Sequence, residues 1–237
     1  MRGVSKQRNS SVNDFSIDLS DRTALAPLGR LLSAVGRVAD TPILLLGAAA
    51  RDLLLVHVHG VDVHRATEDT DLAVAVPNWD AFLRVRDGLV QLKAFKAANL
   101  PHRFWFEGQR LDIVPFGGVE RSDRSIAWPP DGNEVMNVAG LSEALATAVR
   151  VRLPGPVTAP VTSLPAMSLL KTWAWHDRRY TTPGKDASDL WLLLQHYRDA
   201  GIEDRLYDEE GDALAAFVHG IKEERMNRRE FLEAHRD

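Results

Sequence analysis

The chain has 237 residues, 45% hydrophobic and 26% charged, which argues against disordered and fibrous architectures and allows either one compact domain with a sizeable core or a larger domain with a smaller helical one. With 29 basic and 33 acidic side chains the net charge is −4, so this is no nucleic-acid coat protein, and a nucleic-acid ligand would need a local patch. There is no cysteine, so disulfides, thiolate nucleophiles and cysteine zinc sites are excluded, and any metal must use oxygen or imidazole ligands. The longest apolar run, 43–56, is broken by Arg51 and Asp52 and is too short to cross a bilayer. The polar N-terminus lacks a secretory core, so residues 1–20 are expected to be a mobile segment and the location cytoplasmic, without membrane contact.

In chain order, Asp21 to Asp40 carries apolar residues at mixed spacings of three and four, an amphipathic helix with Pro27 near its start. Ile43 to Leu46 is a buried strand ended by Gly47, and Ala48 to Leu55 continues as helix. Asp69 to Val76 is a strand stopped by Pro77, after which Asn78 caps a helix to about Leu92. Alternation puts Asp69, Asp71, Ala73 and Ala75 on one face and Leu72, Val74 and Val76 on the other.

His102 to Phe106 and Arg110 to Phe116 flank Glu107-Gly108-Gln109 as a hairpin. Asp112, in its second strand, points away from Leu111 and Ile113; periodicity alone leaves open whether it shares the face of the first pair. Gly117 to Gly132 is predicted to be a long loop, and Val149 to Val161 a second hairpin around Pro154-Gly155-Pro156. Ser163 to Arg178, Lys185 to Arg198 and Asp212 to Arg225 have helical spacing, broken at Thr181-Thr182-Pro183-Gly184. The expected fold class is α+β: a mixed β-sheet domain flanked by helices over 21–160, followed by a helical C-terminal domain over 161–237.

An Asp-x-Asp on a strand, joined by a third carboxylate from another strand, suits two-metal phosphoryl transfer. Hard divalent cations such as magnesium or manganese take oxygen ligands, and three convergent acids repel one another without them. A lone Asp-x-Asp is more often the mark of turn acids capped by backbone or paired with arginine. The Gly47-Ala48 turn offers backbone N–H groups to a triphosphate, or is a plain tight turn. Lys171, Arg178, Arg179 and Lys185, like Arg225, Arg228 and Arg229, read first as solvated helix faces. His57, His59 and His64 lack a fourth zinc ligand. Trp173, Trp175 and Trp191 are expected in the core, and Phe104, Trp105 and Phe106 call for the same caution against a base-stacking role.

Together, Gly47-Ala48, Asp69-x-Asp71 and Asp112 resemble the polymerase β nucleotidyltransferase superfamily, and Gly47 to Leu55, with Arg51 and Asp52, looks like the opening of CCA-adding enzymes. A closer resemblance is to the abortive-infection E toxin-type nucleotidyltransferases of type IV toxin–antitoxin systems. It rests on Arg65-Ala66-Thr67-Glu68-Asp69-Thr70-Asp71, on Lys171, on Arg178 or Arg179, and on Lys185-Asp186-Ala187-Ser188-Asp189-Leu190. The chain has alanine where these families usually place serine or a second glycine.

The resemblance implies a nucleotidyltransferase-type sheet domain that moves a nucleoside monophosphate from a nucleoside triphosphate to an acceptor hydroxyl. Asp69, Asp71 and Asp112 would hold two magnesium ions, with Asp112 also helping to deprotonate the hydroxyl. Gly47, Ala48, Arg51, Arg65, Thr67 and Lys171 would bind the nucleotide, and Asp186 would complete the catalytic set. It also implies an RNA acceptor, the 3′ end of a tRNA, and a cognate antitoxin. Antibiotic nucleotidyltransferases share the domain plan, and a non-catalytic nucleotide-binding regulator is the rival from another class.

Overall fold

The computed structural model describes residues 16–63, 69–155, 157–182, 184–197 and 199–200. In chain order these form β1 (Ser16–Asp18), α1 (Ala26–Gly36), β2 (Ile43–Leu46), α2 (Gly47–Asp52), a π-helical continuation (Leu53–Val58), β3 (Asp69–Val76) and α3 (Trp79–Gln91). There follow β4 (Phe95–Ala97), β5 (Arg103–Phe106), β6 (Gln109–Gly117), β7 (Ser125–Ala127), β8 (Val135–Asn137) and α4 (Leu141–Ala146). The last elements are β9 (Val149–Leu153), β10 (Val157–Val161), α5 (Leu164–Arg178) and α6 (Lys185–Tyr197). Residues through Leu194 make one compact unit and those from Gln195 a second, and the sheet and α1 to α5 belong to the first.

Eight strands form one mixed sheet in the order β1-β9-β10-β2-β3-β6-β5-β4, and β7 and β8 pair separately. The fold is thus a mixed sheet with flanking helices, followed by further helices. β3 and β6 lie side by side and parallel, with Leu72 beside Ile113 and Asp71 beside Asp112. On one face Leu72, Leu111 and Ile113 are fully buried, together with Phe104 and Phe106 of β5. A slip of one residue would turn these side chains outward, at about 1.5–3 kcal/mol each, and bury the carboxylates instead. Core burial on one face therefore fixes where the acids stand on the other.

The local signals act as their chemistry requires. Asn78 accepts a hydrogen bond from the backbone N–H of Ala81 at 2.9 Å and starts α3, which buries Phe82, Val85 and Leu89. Glu107 and Gly108, both at positive φ, make the two-residue turn between β5 and β6. Pro27 sits in the first turn of α1, which runs only from Ala26 to Gly36 after a 3₁₀ turn at Thr23–Leu25, shorter than the expected 21–40.

Two further expectations are corrected. Ser16–Asp18, at the end of the segment expected to be mobile, pairs with β9 and buries Ile17. The stretch expected to be a long loop contains β7, which pairs with β8 and buries Ile126. Both are three-residue strands, too short for alternation to stand out. The predicted helix 212–225 and the basic cluster Arg225, Arg228 and Arg229 lie outside the described residues. Among the described residues no helix is long and apolar enough to cross a membrane.

Candidate active site

In β3 and β6, Asp69 stands opposite Arg110 and Asp71 opposite Asp112. Residues in register across a pair of strands project to the same face, so Asp112 shares the face of Asp69 and Asp71. β5 places Arg103 opposite Asp112 and Trp105 opposite Arg110, and β4 places Lys96 opposite Trp105. On the far side of β3, Leu46 stands opposite Asp71, so the chain leaves β2 through Gly47 beside that carboxylate. Gly47 has a φ of +64°, and a Cβ there would overlap Asp71 Oδ2 and lie 3.0 Å from its Cγ. Glycine is needed for the left-handed backbone and for the space.

Arg103 donates from Nε and Nη2 to the two oxygens of Asp112, each at 2.8 Å. This bidentate grip fixes the carboxylate plane and leaves each oxygen a second lone pair. Arg110 Nη2 donates to Asp69 Oδ2. The Asp71 carboxyl is held above the usual carboxylate range, first by burial and then by the charge of Asp112; Lys171, Lys185 and Arg178 act in the opposite direction.

Two neighbouring carboxylates are what a hard divalent cation reconciles, and Gly47 puts no side chain over Asp71 Oδ2. The all-oxygen donor set fits magnesium or manganese, although no three acids or histidines among the described residues close into a preformed ligand group.

A second charged cluster joins α2, α5 and α6. Lys171 Nζ donates to Asp189 Oδ2 at 2.6 Å and to Asp186 Oδ1 at 3.3 Å, and Arg178 Nη2 donates to Asp186 Oδ1 at 2.9 Å. Asp186 is 2% exposed. Arg51, also buried, donates from Nε to Asp52 Oδ1 at 2.8 Å, and its Nη1 lies 3.8 Å from Asp189 Oδ1.

Lys171→Met would leave Asp186 and Asp189 short of a cation in a buried setting. Breaking a buried pair costs about 3–5 kcal/mol, and because the lysine side chain is 20% exposed we expect the lower end of that range. The expected fall in Tm is about 5–10 °C by thermal denaturation. An unchanged Tm would show the cluster to be screened by solvent.

The structure brings Asp69, Asp71, Asp112, Gly47 and Ala48 to one region, and the charges of Lys171, Arg178 and Lys185 act on Asp71. Asp186 faces Lys171 and Arg178, and Arg51 is engaged by carboxylates of its own chain. Arg65, Thr67 and His64 lie outside the described residues.

Sequence reasoning missed Arg103 and Arg110. A two-residue turn at Glu107-Gly108 pairs Phe106 with Gln109, and counting outward pairs Trp105 with Arg110 and Arg103 with Asp112, so the hairpin held the signal. The core assignment of Trp173, Trp175 and Trp191 is corrected: they are 44%, 42% and 63% exposed. The buried residues of α5 are Leu164 and Met167, and indoles two residues apart on a helix cannot both join one narrow stripe.

An acid row beside a glycine turn, flanked by cations that suit a triphosphate, is the equipment of a nucleotidyltransferase. The family model of the nucleotidyl transferase AbiEii toxin, of type IV toxin–antitoxin systems, matches residues 31–237, and the chain belongs to that family. It is a nucleotidyltransferase enzyme. A comparison with curated proteins gives no match.

Two solved structures of the antibiotic-resistance factor ANT(2'')-Ia are similar to this chain. One is a solution structure, 16% identical with a TM-score of 0.45, covering 84% of this chain and 99% of that one. The other is a crystal structure in complex with adenylyl-2''-tobramycin, 15% identical with a TM-score of 0.44, covering 76% and 94%.

Proposed function

We propose that this enzyme moves a nucleoside monophosphate from a nucleoside triphosphate to the 3′-terminal hydroxyl of an RNA, specifically a tRNA end, as a toxin held in check by a cognate antitoxin. The reading is supported above all by the register that sets Asp71 beside Asp112 and next to the Gly47 turn. Residues 21–160 would carry the chemistry, and the helical region 161–237 would supply Lys171 and Asp186.

Asp69, Asp71 and Asp112 would hold the divalent cations, which supply Lewis-acid charge neutralisation at the reacting phosphate when bound. Asp112, its plane set by Arg103, accepts the proton of the attacking hydroxyl as the new O–P bond forms and the bond to pyrophosphate breaks. The Gly47-Ala48 turn turns backbone N–H groups towards the triphosphate. Lys171 meets the charge that develops on the leaving pyrophosphate, and Asp186 and Asp189 position it. Arg51 ties α2 to α6 through Asp189.

Labelled triphosphates incubated with total RNA, and in parallel with aminoglycosides and lincosamides, test the acceptor. Label is expected in the tRNA fraction only with magnesium or manganese present. Label entering only the small molecules would overturn the RNA reading, and undiminished transfer after exhaustive chelation would overturn the metal site.

A further inference from the structure

The acid face continues beyond the three carboxylates. Lys96, Trp105, Arg110 and Asp69 form one unbroken cross-strand row over β4, β5, β6 and β3, and Arg103, Asp112 and Asp71 form the row beside it. Trp105 is 44% exposed, while its neighbours Phe104 and Phe106 are buried on the opposite face. It borders a recess of about 440 Å³ that Arg103, Arg110, Asn99 and Leu100 also line. Arg110 spends Nη2 on Asp69, and its buried Nε finds no hydrogen-bond partner among the described residues. Arg110 thus brings its charge to the recess that Trp105 borders.

We infer that this shelf is the acceptor subsite: Trp105 stacks a base near the 3′ end of single-stranded RNA, and Lys96, Arg103 and Arg110 receive its phosphates. The inference rests on the RNA reading above and deepens it. An indole held rigidly on a strand and flanked by cations is the combination that binds single strands by stacking and backbone charge. The order across the sheet also separates the two substrates. Gly47 adjoins Asp71 on the β2 side, where the triphosphate is anchored, and the shelf lies on the β5 side, so Asp112 stands between donor and acceptor. Trp105 is a diagonal cross-strand neighbour of Asp112, roughly 7–8 Å away, so a base on the indole leaves its own or the adjacent ribose hydroxyl at that carboxylate.

The test uses the full chain and a 5′-fluorescein single-stranded RNA with a free 3′ hydroxyl, with anisotropy read in chelator so that no transfer occurs. Trp105→Ala is expected to weaken binding about ten-fold, and Trp105→Phe to restore most of it. In transfer assays Trp105→Ala should raise KM for RNA and leave triphosphate affinity unchanged. If the parent labels RNA and Trp105→Ala labels and binds it equally well, the shelf is overturned while the RNA reading stands. If the parent labels no RNA yet binds it through Trp105, the shelf stands and the acceptor reading falls. If the parent does not bind RNA, or the recess proves to seat a protein partner instead, the inference is overturned.

Discussion

Asp71→Asn is expected to lower nucleotidyl transfer by at least about 10³-fold and, in chelator at neutral pH, to raise Tm. In the proposed role of Asp71 as a cation ligand, removing its charge forfeits several kcal/mol of charge stabilisation at the reacting phosphate, and each 1.36 kcal/mol is worth ten-fold in rate. Stability moves the other way because the Asp71 carboxyl is buried next to Asp112 and held above its ordinary range. An acid whose pKa is raised by folding carries no penalty below its unfolded pKa and the full penalty above its folded pKa. Parent and variant should therefore melt together at acid pH, and the variant should gain as pH rises through the carboxylate range and then level off. On the proposed metal site, magnesium should reverse the order, since it would stabilise the parent more than the variant. A variant melting below the parent at neutral pH in chelator would mean that Asp71 stabilises the empty fold, contrary to its surroundings.

Gly47→Ala is expected to lose about 10²-fold in activity together with about 1–3 kcal/mol of stability. The left-handed backbone alone is strained for alanine, and the new methyl group would press on Asp71 Oδ2. Displacing a catalytic group by about 1 Å costs on the order of 10²-fold. Gly155→Ala separates the two effects: its φ is +91°, but a Cβ there meets nothing within 4 Å. It should lose stability and keep full transfer activity. Equal activity loss in both variants, measured as kcat at matched temperature, would remove the special role given to the Gly47–Asp71 contact.

Much of this architecture is legible from local chemistry. Period two placed Asp69 and Asp71 on one face of β3, the turn residues at Glu107-Gly108 delimited β5 and β6, and Asn78 and Ser163 marked helix starts. What joins Asp112 to that face is the parallel pairing of β3 with β6, separated in sequence by α3, β4 and β5, and no local period reports such a pairing. Three-residue strands such as β1 and β4 fall below the length at which alternation shows. The indoles of α5 and α6 misled for a different reason: helical spacing tells which residues share a stripe, and only tertiary contacts tell whether that stripe is covered.

The wide spacing of these partners along the chain bears on when activity can arise. Thr162 donates to the Leu45 carbonyl 117 residues earlier, β1 closes on β9, and Lys171 meets its carboxylates only in α6. Contacts so distant in sequence form late, since each must overcome the entropy of closing the intervening loop. The acids of β3 and β6 precede Lys171 and the carboxylates that hold it, so the charged cluster whose field reaches Asp71 is completed only once α6 has been made.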